Sequence, residues 1–196
     1  MLELILIRHG ETDSNIRGSY LGWTDMELNE TGIDQVKLLK ERLKGIKVDK
    51  IYSSPLKRAL QTAKIINENF QLDIVTDDGL KERNFGIWDD LTHEEMSRNY
   101  PEEYNEWIND WIKYRIKGGE SALEAYERSA FFVDGVIRRN KDGVIMMVTH
   151  LGTIRFILAH LLDLGIENSW HFRVNNASIT KVEINDGYSV LTMLNG

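Results

Sequence analysis

The sequence predicts an α/β protein: a three-layer αβα sandwich around a mostly parallel, doubly wound sheet with at least one antiparallel strand. Three observations lead there. Short apolar runs alternate along the chain with segments of helical period. The run Val144 to Thr149 is uninterrupted and apolar, as expected of a central parallel strand. The chain then closes on two strand-like runs, Ser178 to Ile184 and Ser189 to Leu194, a pair that implies a mixed sheet.

Leu2 to Ile7 is a short apolar run ending in charged residues and Gly, which reads as a buried strand opening into a functional loop. A helix follows Thr31, with Val36, Leu39 and Leu43 on one face. Val48 to Ser53 reads as a second strand, and Leu56 to Phe70 as a helix starting just after Pro55. Leu72 to Thr76 is a third short strand, and Leu80 to Trp88 a loop of polar residues among aromatics. Thr92 to Asn99 and Pro101 to Ile116 read as helices rich in Trp, Tyr and acid, and the segment of about 85–120 is expected to form a helical cap. Within it Trp107, Ile108, Trp111 and Ile112 have helical spacing and read as packing residues. Ser121 to Arg139 is amphipathic, Gly143 introduces the central strand, and a helix from Thr153 to Leu164 follows it.

A chain of 196 residues without repeats, low-complexity tracts or a Pro/Gly/Ser-rich linker is expected to form one domain. With 0 Cys, disulfides, thiolate metal sites and cysteine nucleophiles are excluded, and a cysteine-dependent phosphatase with them. The formal net charge of -7 repels nucleic acid and anionic membranes, so neither is expected as a partner, and any phosphate must be captured by a local cationic cluster. Apolar runs such as Ile154 to Leu164, broken by His160 and Asp163, fall far short of the roughly 20 residues that span a bilayer. Glu3 and Arg8 spoil the N-terminus as a signal peptide, and a soluble cytoplasmic protein is expected.

The chemistry-bearing residues follow two predicted central strands: Arg8, His9, Gly10, Glu11 and Thr12 after the first, and His150 after the Val144 to Thr149 run. In an open α/β sheet these turns meet at a crevice beyond the carboxyl ends of the strands. A neutral imidazole attacks phosphorus, and phosphoryl transfer asks the protein chiefly for alignment and for charge facing the equatorial oxygens. His9 is the candidate attacker. Arg8 and Arg58 offer planar forks of donors that suit phosphate better than Lys, and His150, if protonated beside a dianion, adds a third positive donor. Glu82, in Leu80-Lys81-Glu82-Arg83, is the candidate general acid that later activates water. Thr12 and Glu11 are also suited to capping or bracing the loop, and His93, His160 and His171 read as structural or surface residues.

Leu6-Ile7-Arg8-His9-Gly10-Glu11-Thr12, with Asn15 beyond it, resembles the signature of the histidine phosphatase superfamily, which includes the cofactor-dependent phosphoglycerate mutases. The resemblance continues through Gly22-Trp23-Thr24-Asp25, Leu28-Asn29-Glu30-Thr31-Gly32, Ser53-Ser54-Pro55-Leu56-Lys57-Arg58-Ala59, Glu82 with Gly86 and Trp88, and Val148-Thr149-His150. An Arg-His-Gly triplet alone is weak, whereas four such blocks in family order are specific. The resemblance implies a phosphoglycerate mutase-like fold, a phosphohistidine at His9, electrostatic roles for Arg8, Arg58 and His150, and acid then base work from Glu82. It implies a phosphate contact from Asn15, places Gly10, Thr12, Gly22 and Leu151 at the substrate, and calls for no metal and no cofactor.

Mutases of the family have an Asn two places after the second His and a Lys in the segment after the acid. Here His150 is followed by Leu151, Gly152 and Thr153, and His93 stands where that Lys aligns. Many phosphatases of the family have His-Gly-Gly, so Leu151 departs from that pattern too. Gly18-Ser19-Tyr20-Leu21-Gly22, Pro101-Glu102-Glu103-Tyr104 to Trp107, Gly118-Gly119-Glu120-Ser121 and Trp170-His171-Phe172 are similar to the α-ribazole phosphatase branch of cobalamin biosynthesis. In that reading Trp107, Trp111 and Tyr114 pack on a flat base such as dimethylbenzimidazole. The expected partner is a small phosphorylated metabolite, with α-ribazole 5′-phosphate first. A broad sugar or glycerate phosphate phosphatase, a mutase and a catalytically silent phospholigand-binding domain are the alternatives, and a homodimer stays open.

Overall fold

The computed structural model describes residues 1–196. In chain order the elements are β1 (Leu2–Arg8), α1 (Asp13–Arg17), α2 (Glu30–Arg42), β2 (Lys50–Ser53), α3 (Lys57–Asn67), β3 (Ile74–Thr76), α4 (His93–Asn99), α5 (Pro101–Asn109), α6 (Ala122–Arg139), β4 (Gly143–Thr149), α7 (Leu151–Leu161), β5 (Ile179–Asn185) and β6 (Tyr188–Met193). The six strands form one sheet in the order β3-β2-β4-β1-β5-β6. β1, β2, β3 and β4 are mutually parallel, and β5 runs antiparallel to both β1 and β6. The mixed sheet of the sequence expectation is what forms.

Because side chains alternate across a strand, β1 and β4 each serve two cores. Leu2, Leu4, Leu6, Ile145 and Met147 pack with Val133 and Val136 of α6 and Ile154 and Ile157 of α7. Ile5, Ile7, Met146 and Val148 face the other way, onto Val36 and Leu39 of α2 and Ala59, Ala63 and Ile66 of α3. A strand buried on both faces needs apolar residues along its buried length, which is why Leu4 to Ile7 of β1 and Val144 to Val148 of β4 read as apolar runs.

A third core lies apart from the sandwich: Trp88, Met96, Trp107 and Ile116 pack together within the stretch expected to form the cap. Here the structure corrects one reading. The helix expected over Pro101 to Ile116 ends at Asn109, with Asp110 in a non-helical conformation. The spacing that placed Ile108 with Trp111 and Ile112 is therefore not helical throughout, and Ile108 is 55% exposed.

Two boundaries matter for the site. A short helix, α1, was not expected; Thr12 caps it by accepting from the backbone N–H of Asn15, whose side chain accepts from the Thr12 N–H in return. The helix after the second His starts at Leu151 rather than Thr153, directly behind His150. No helix is long and apolar enough to cross a membrane.

Candidate active site

The register of the sheet assembles the site. Arg8 pairs directly with Thr149 across β1 and β4, so His9 and His150 leave the sheet side by side, their ring centroids 5.2 Å apart. The His9 N–H donates to the Thr149 carbonyl at 3.0 Å. One strand over, Ser53 of β2 pairs with Val148, and the next residue, Ser54, brings its Oγ to 2.8 Å from His150 Nε2.

His9 Nδ1 lies 2.6 Å from the carbonyl oxygen of Gly10. A carbonyl only accepts, so Nδ1 carries the proton and Nε2 keeps its lone pair. Burial holds the His9 pKa well below its usual value, with the charges of Arg58 and Arg8 pushing the same way. The ring is thus neutral at neutral pH. The loop behind it is fixed by close packing: a Cβ on Gly10 would stand 2.5 Å from the Gly32 carbonyl oxygen. The Gly10 N–H donates to Thr62 Oγ1 at 3.2 Å. Asn176 Nδ2 donates to the His9 carbonyl at 3.1 Å and to Asn15 Oδ1 at 3.0 Å. With its oxygen also accepting from Thr12, Asn15 has only its N–H groups left to offer the cavity it lines.

Arg8, Arg58 and His150 surround His9 with donors that the protein leaves unused. Arg8 Nη1 donates to Val174 O at 2.7 Å, and Arg58 donates to Gly22 O at 2.7 Å and Thr24 O at 3.1 Å. Arg8 Nε, Arg58 Nε and His150 Nδ1 are all buried with no hydrogen-bond partner. Three orphaned polar atoms at one place are costly unless an acceptor reaches them. Burial lowers Arg8 and Arg58 to about 10, which leaves both fully charged at neutral pH. In His150, burial first, then Arg58, His9 and Arg8, push the pKa well below the usual value. With the Ser54 hydroxyl able to donate to Nε2, His150 offers its hydrogen from Nδ1 as a neutral ring.

Glu82 is buried close enough for its charge to act on both Arg8 and Arg58. One carboxylate oxygen accepts from the Arg83 N–H and the other from the Gly152 N–H at the start of α7, both at 2.9 Å. Its loop is clamped by Arg128, which donates to the carbonyls of Asp78 and Lys81 at 3.0 Å each. A Cβ at residue 152 would stand 2.4 Å from a Glu82 carboxylate oxygen, so a side chain there would displace the carboxylate.

A cavity of about 490 Å³ opens above these groups. Arg8, His9, Asn15, Glu82 and Leu151 of the expected site residues line it. Arg58 and His150 do not line it; both are fully buried, and the His150 ring lies 5.2 Å from that of His9. Gly10, Thr12 and Gly22 do not reach the cavity: Gly10 packs on Gly32, Thr12 caps α1, and Gly22 supplies a carbonyl to Arg58. Trp107 and Trp111 line the cavity as expected, whereas Tyr114 stacks on Trp88 at 5.6 Å and stays in the small core. His93 and His171 are exposed and His160 bonds Asp134 at 2.8 Å, all away from His9 as expected.

Sequence reasoning missed four residues of the site. Arg83 directly follows Glu82, so adjacency was a usable signal. Arg155 stands one turn after Leu151 on α7, and Ser54 lies within the Ser-Ser-Pro turn. Asn176 carries no signal in its neighbours, because it arrives from the loop before β5.

The family profile described as "Histidine phosphatase superfamily (branch 1)" matches residues 4–196. Phosphoserine phosphatase 1 of Hydrogenobacter thermophilus is 34% identical over 195 residues, covering 100% of this chain and 92% of that protein. The adenosylcobalamin/alpha-ribazole phosphatase of Escherichia coli is 32% identical over 194 residues, covering 99% of this chain and 96% of its own. The crystal structure of the alpha-ribazole phosphatase from Shigella flexneri superposes with a TM-score of 0.94 at 31% identity, covering 99% of this chain and 96% of that one.

Proposed function

The chain belongs to the histidine phosphatase superfamily and is a phosphatase, and from that premise we propose that it hydrolyses small phosphomonoesters, without a metal, through a phosphohistidine at His9. The observation that carries the reading is the set of three buried, unpartnered donors, Arg8 Nε, Arg58 Nε and His150 Nδ1, gathered about an imidazole whose Nε2 holds a free lone pair.

His9 Nε2 attacks phosphorus, the bond from phosphorus to the ester oxygen breaks, and Glu82 gives its proton to the departing alkoxide. The equatorial oxygens take the donors of Arg8, Arg58, His150 and Asn15, whose positions are set before the ester arrives. Water then attacks the phosphohistidine, the Glu82 carboxylate accepts its proton, and phosphate leaves as the N–P bond breaks. The reaction regenerates neutral His9 and protonated Glu82.

For the substrate, α-ribazole 5′-phosphate is supported by the aromatic side chains Tyr20, Phe85, Trp107, Trp111 and Trp170 along the cavity, and by the name of the Escherichia coli relative. Phosphoserine is the second reading, favoured by two arginines in the same cavity that pair with no carboxylate, and by the name of the Hydrogenobacter relative. Release of inorganic phosphate from a panel of esters in the presence of EDTA tests the class. Undiminished turnover with EDTA is expected, and loss of all turnover on chelation contradicts the metal-free mechanism.

A further inference from the structure

Three groups that line the cavity, Arg8, Asn15 and Arg155, are bonded to one short segment. The Phe172 carbonyl accepts from Arg155 Nε and the Val174 carbonyl from Arg8 Nη1, both at 2.7 Å. Asn176 Nδ2 commits both of its hydrogens, one to the His9 carbonyl at 3.1 Å and one to Asn15 Oδ1 at 3.0 Å. Phe172 and Val174 are buried while Arg173 and Asn175 are exposed, the alternation of an extended strand. Yet residues 172–175 belong to no strand of the sheet.

An extended segment outside a sheet has no ladder partner for the N–H and C=O groups of its outer edge. Here one side chain takes the place of the missing strand. Asn195 Oδ1 accepts from the Asn175 N–H and Asn195 Nδ2 donates to the Arg173 carbonyl, each at 2.7 Å. An N–H only donates and a carbonyl only accepts, so the orientation of this amide is fixed by its partners. The two bonds flank Val174 as those of one residue in a parallel neighbouring strand would. Asn195 is brought there by Gly196, whose backbone exchanges hydrogen bonds of 2.9 and 3.2 Å with Ile179 at the start of β5. Its φ of 57° lies in the left-handed region, which Asn tolerates better than most residues.

We propose that Asn195 is a positioning residue for phosphate capture: by holding the outer edge of residues 173–175 it fixes the Val174 carbonyl that aims Arg8 and the Asn176 amide that orients Asn15. This rests on the reading that the phosphoryl group sits beside His9. Successive carbonyls of an extended segment point to opposite edges, so releasing the outer pair lets the segment turn about its axis and carries the inner carbonyls with it. Arg8 and Asn15 then keep their donors and lose their aim, and small misplacements of such groups are costly. Asn195 itself lies outside the cavity lining and acts only through the segment.

Calorimetric titration with inorganic phosphate reads the capture without turnover. Asn195→Gly removes the amide and suits the left-handed backbone, whereas Asn195→Asp keeps an acceptor for Asn175 and loses the donor to Arg173. Phosphate affinity should fall about tenfold in the Gly variant and less in the Asp variant, with unchanged circular dichroism spectra. In an Asn15→Ala background the loss caused by Asn195→Gly should shrink, because one of the groups it positions is already gone. A merely structural contact would cost the same in both backgrounds. Phosphate affinity unchanged by Asn195→Gly, or an equal loss with and without the Asn15 side chain, would overturn the proposal. Failure of the phosphatase reading shows separately, as an unsubstituted protein that binds no phosphate and releases none from any ester.

Discussion

The rings of His9 and His150 stand 5.2 Å apart because the residues before them, Arg8 and Thr149, are direct partners in adjacent parallel strands. Two residues separated by most of the chain become neighbours through sheet register, and a slip of one position would turn every side chain of β1 to the opposite face. Both cores of the sandwich enforce that register, so the site inherits the rigidity of the sheet rather than that of its loops.

Glu82→Gln removes the proton donor and leaves its backbone contacts partly intact. Turnover of esters with poor leaving groups should fall about 100-fold or more, while p-nitrophenyl phosphate, which leaves without protonation, loses far less in the first chemical step. Burst kinetics separate the two steps. Equal losses in that step for both kinds of ester count against Glu82 as the acid.

Gly152→Ala places a methyl group where the Glu82 carboxylate lies. The same leaving-group dependence as Glu82→Gln, with an unchanged circular dichroism spectrum, is expected. Wild-type rates across the ester series would show that the contact does not position the acid.

Asp89 acts on Arg58 at one remove. Its carboxylate accepts from the N–H groups of Gly22 and Trp23 at 2.8 Å and of Thr24 at 3.0 Å, and the carbonyls of Gly22 and Thr24 accept from Arg58. Asp89→Ala should lower kcat/KM about tenfold and stability by about 1–3 kcal/mol through the N–H groups it releases. Lost stability with an unchanged kcat/KM would mean that the loop does not orient Arg58.

Both site histidines have pKa values depressed by burial, so they stay neutral in the fold well below the pH at which they protonate in the unfolded chain, about 6.5. Their contribution to stability is complete above that pH and is lost as pH falls through the acid range, with a limiting slope of about 1.4 kcal/mol per pH unit for each ring. Urea unfolding at stepped pH should show the decline, and His150→Gln should reduce its slope. A slope unaltered by that substitution would place the proton uptake elsewhere.

How much of this was legible in the sequence follows from where each residue sits. Arg8, His9 and His150 end continuous apolar runs, and strands buried on both faces announce themselves by composition. Arg58 and Glu82 were found by residue type and by resemblance. The end of α5 at Asn109 was not legible, because Trp111 and Ile112 keep helical spacing while the backbone leaves the helix. Nor was Asn176, whose role depends on a loop reaching across to the His9 carbonyl from a distant part of the chain. The neutrality of His150 depends on burial depth and on the charge of Arg58, neither of which spacing records.

Turnover through His9 requires a covalent bond between phosphorus and His9 Nε2. Protein mixed with a radiolabelled phosphomonoester, quenched within one turnover in alkaline denaturant and mapped by peptide, should carry acid-labile, base-stable label at His9. His9→Ala should carry none and release no phosphate. Turnover by the wild-type protein with no trapped label, or with label at another residue, contradicts the account.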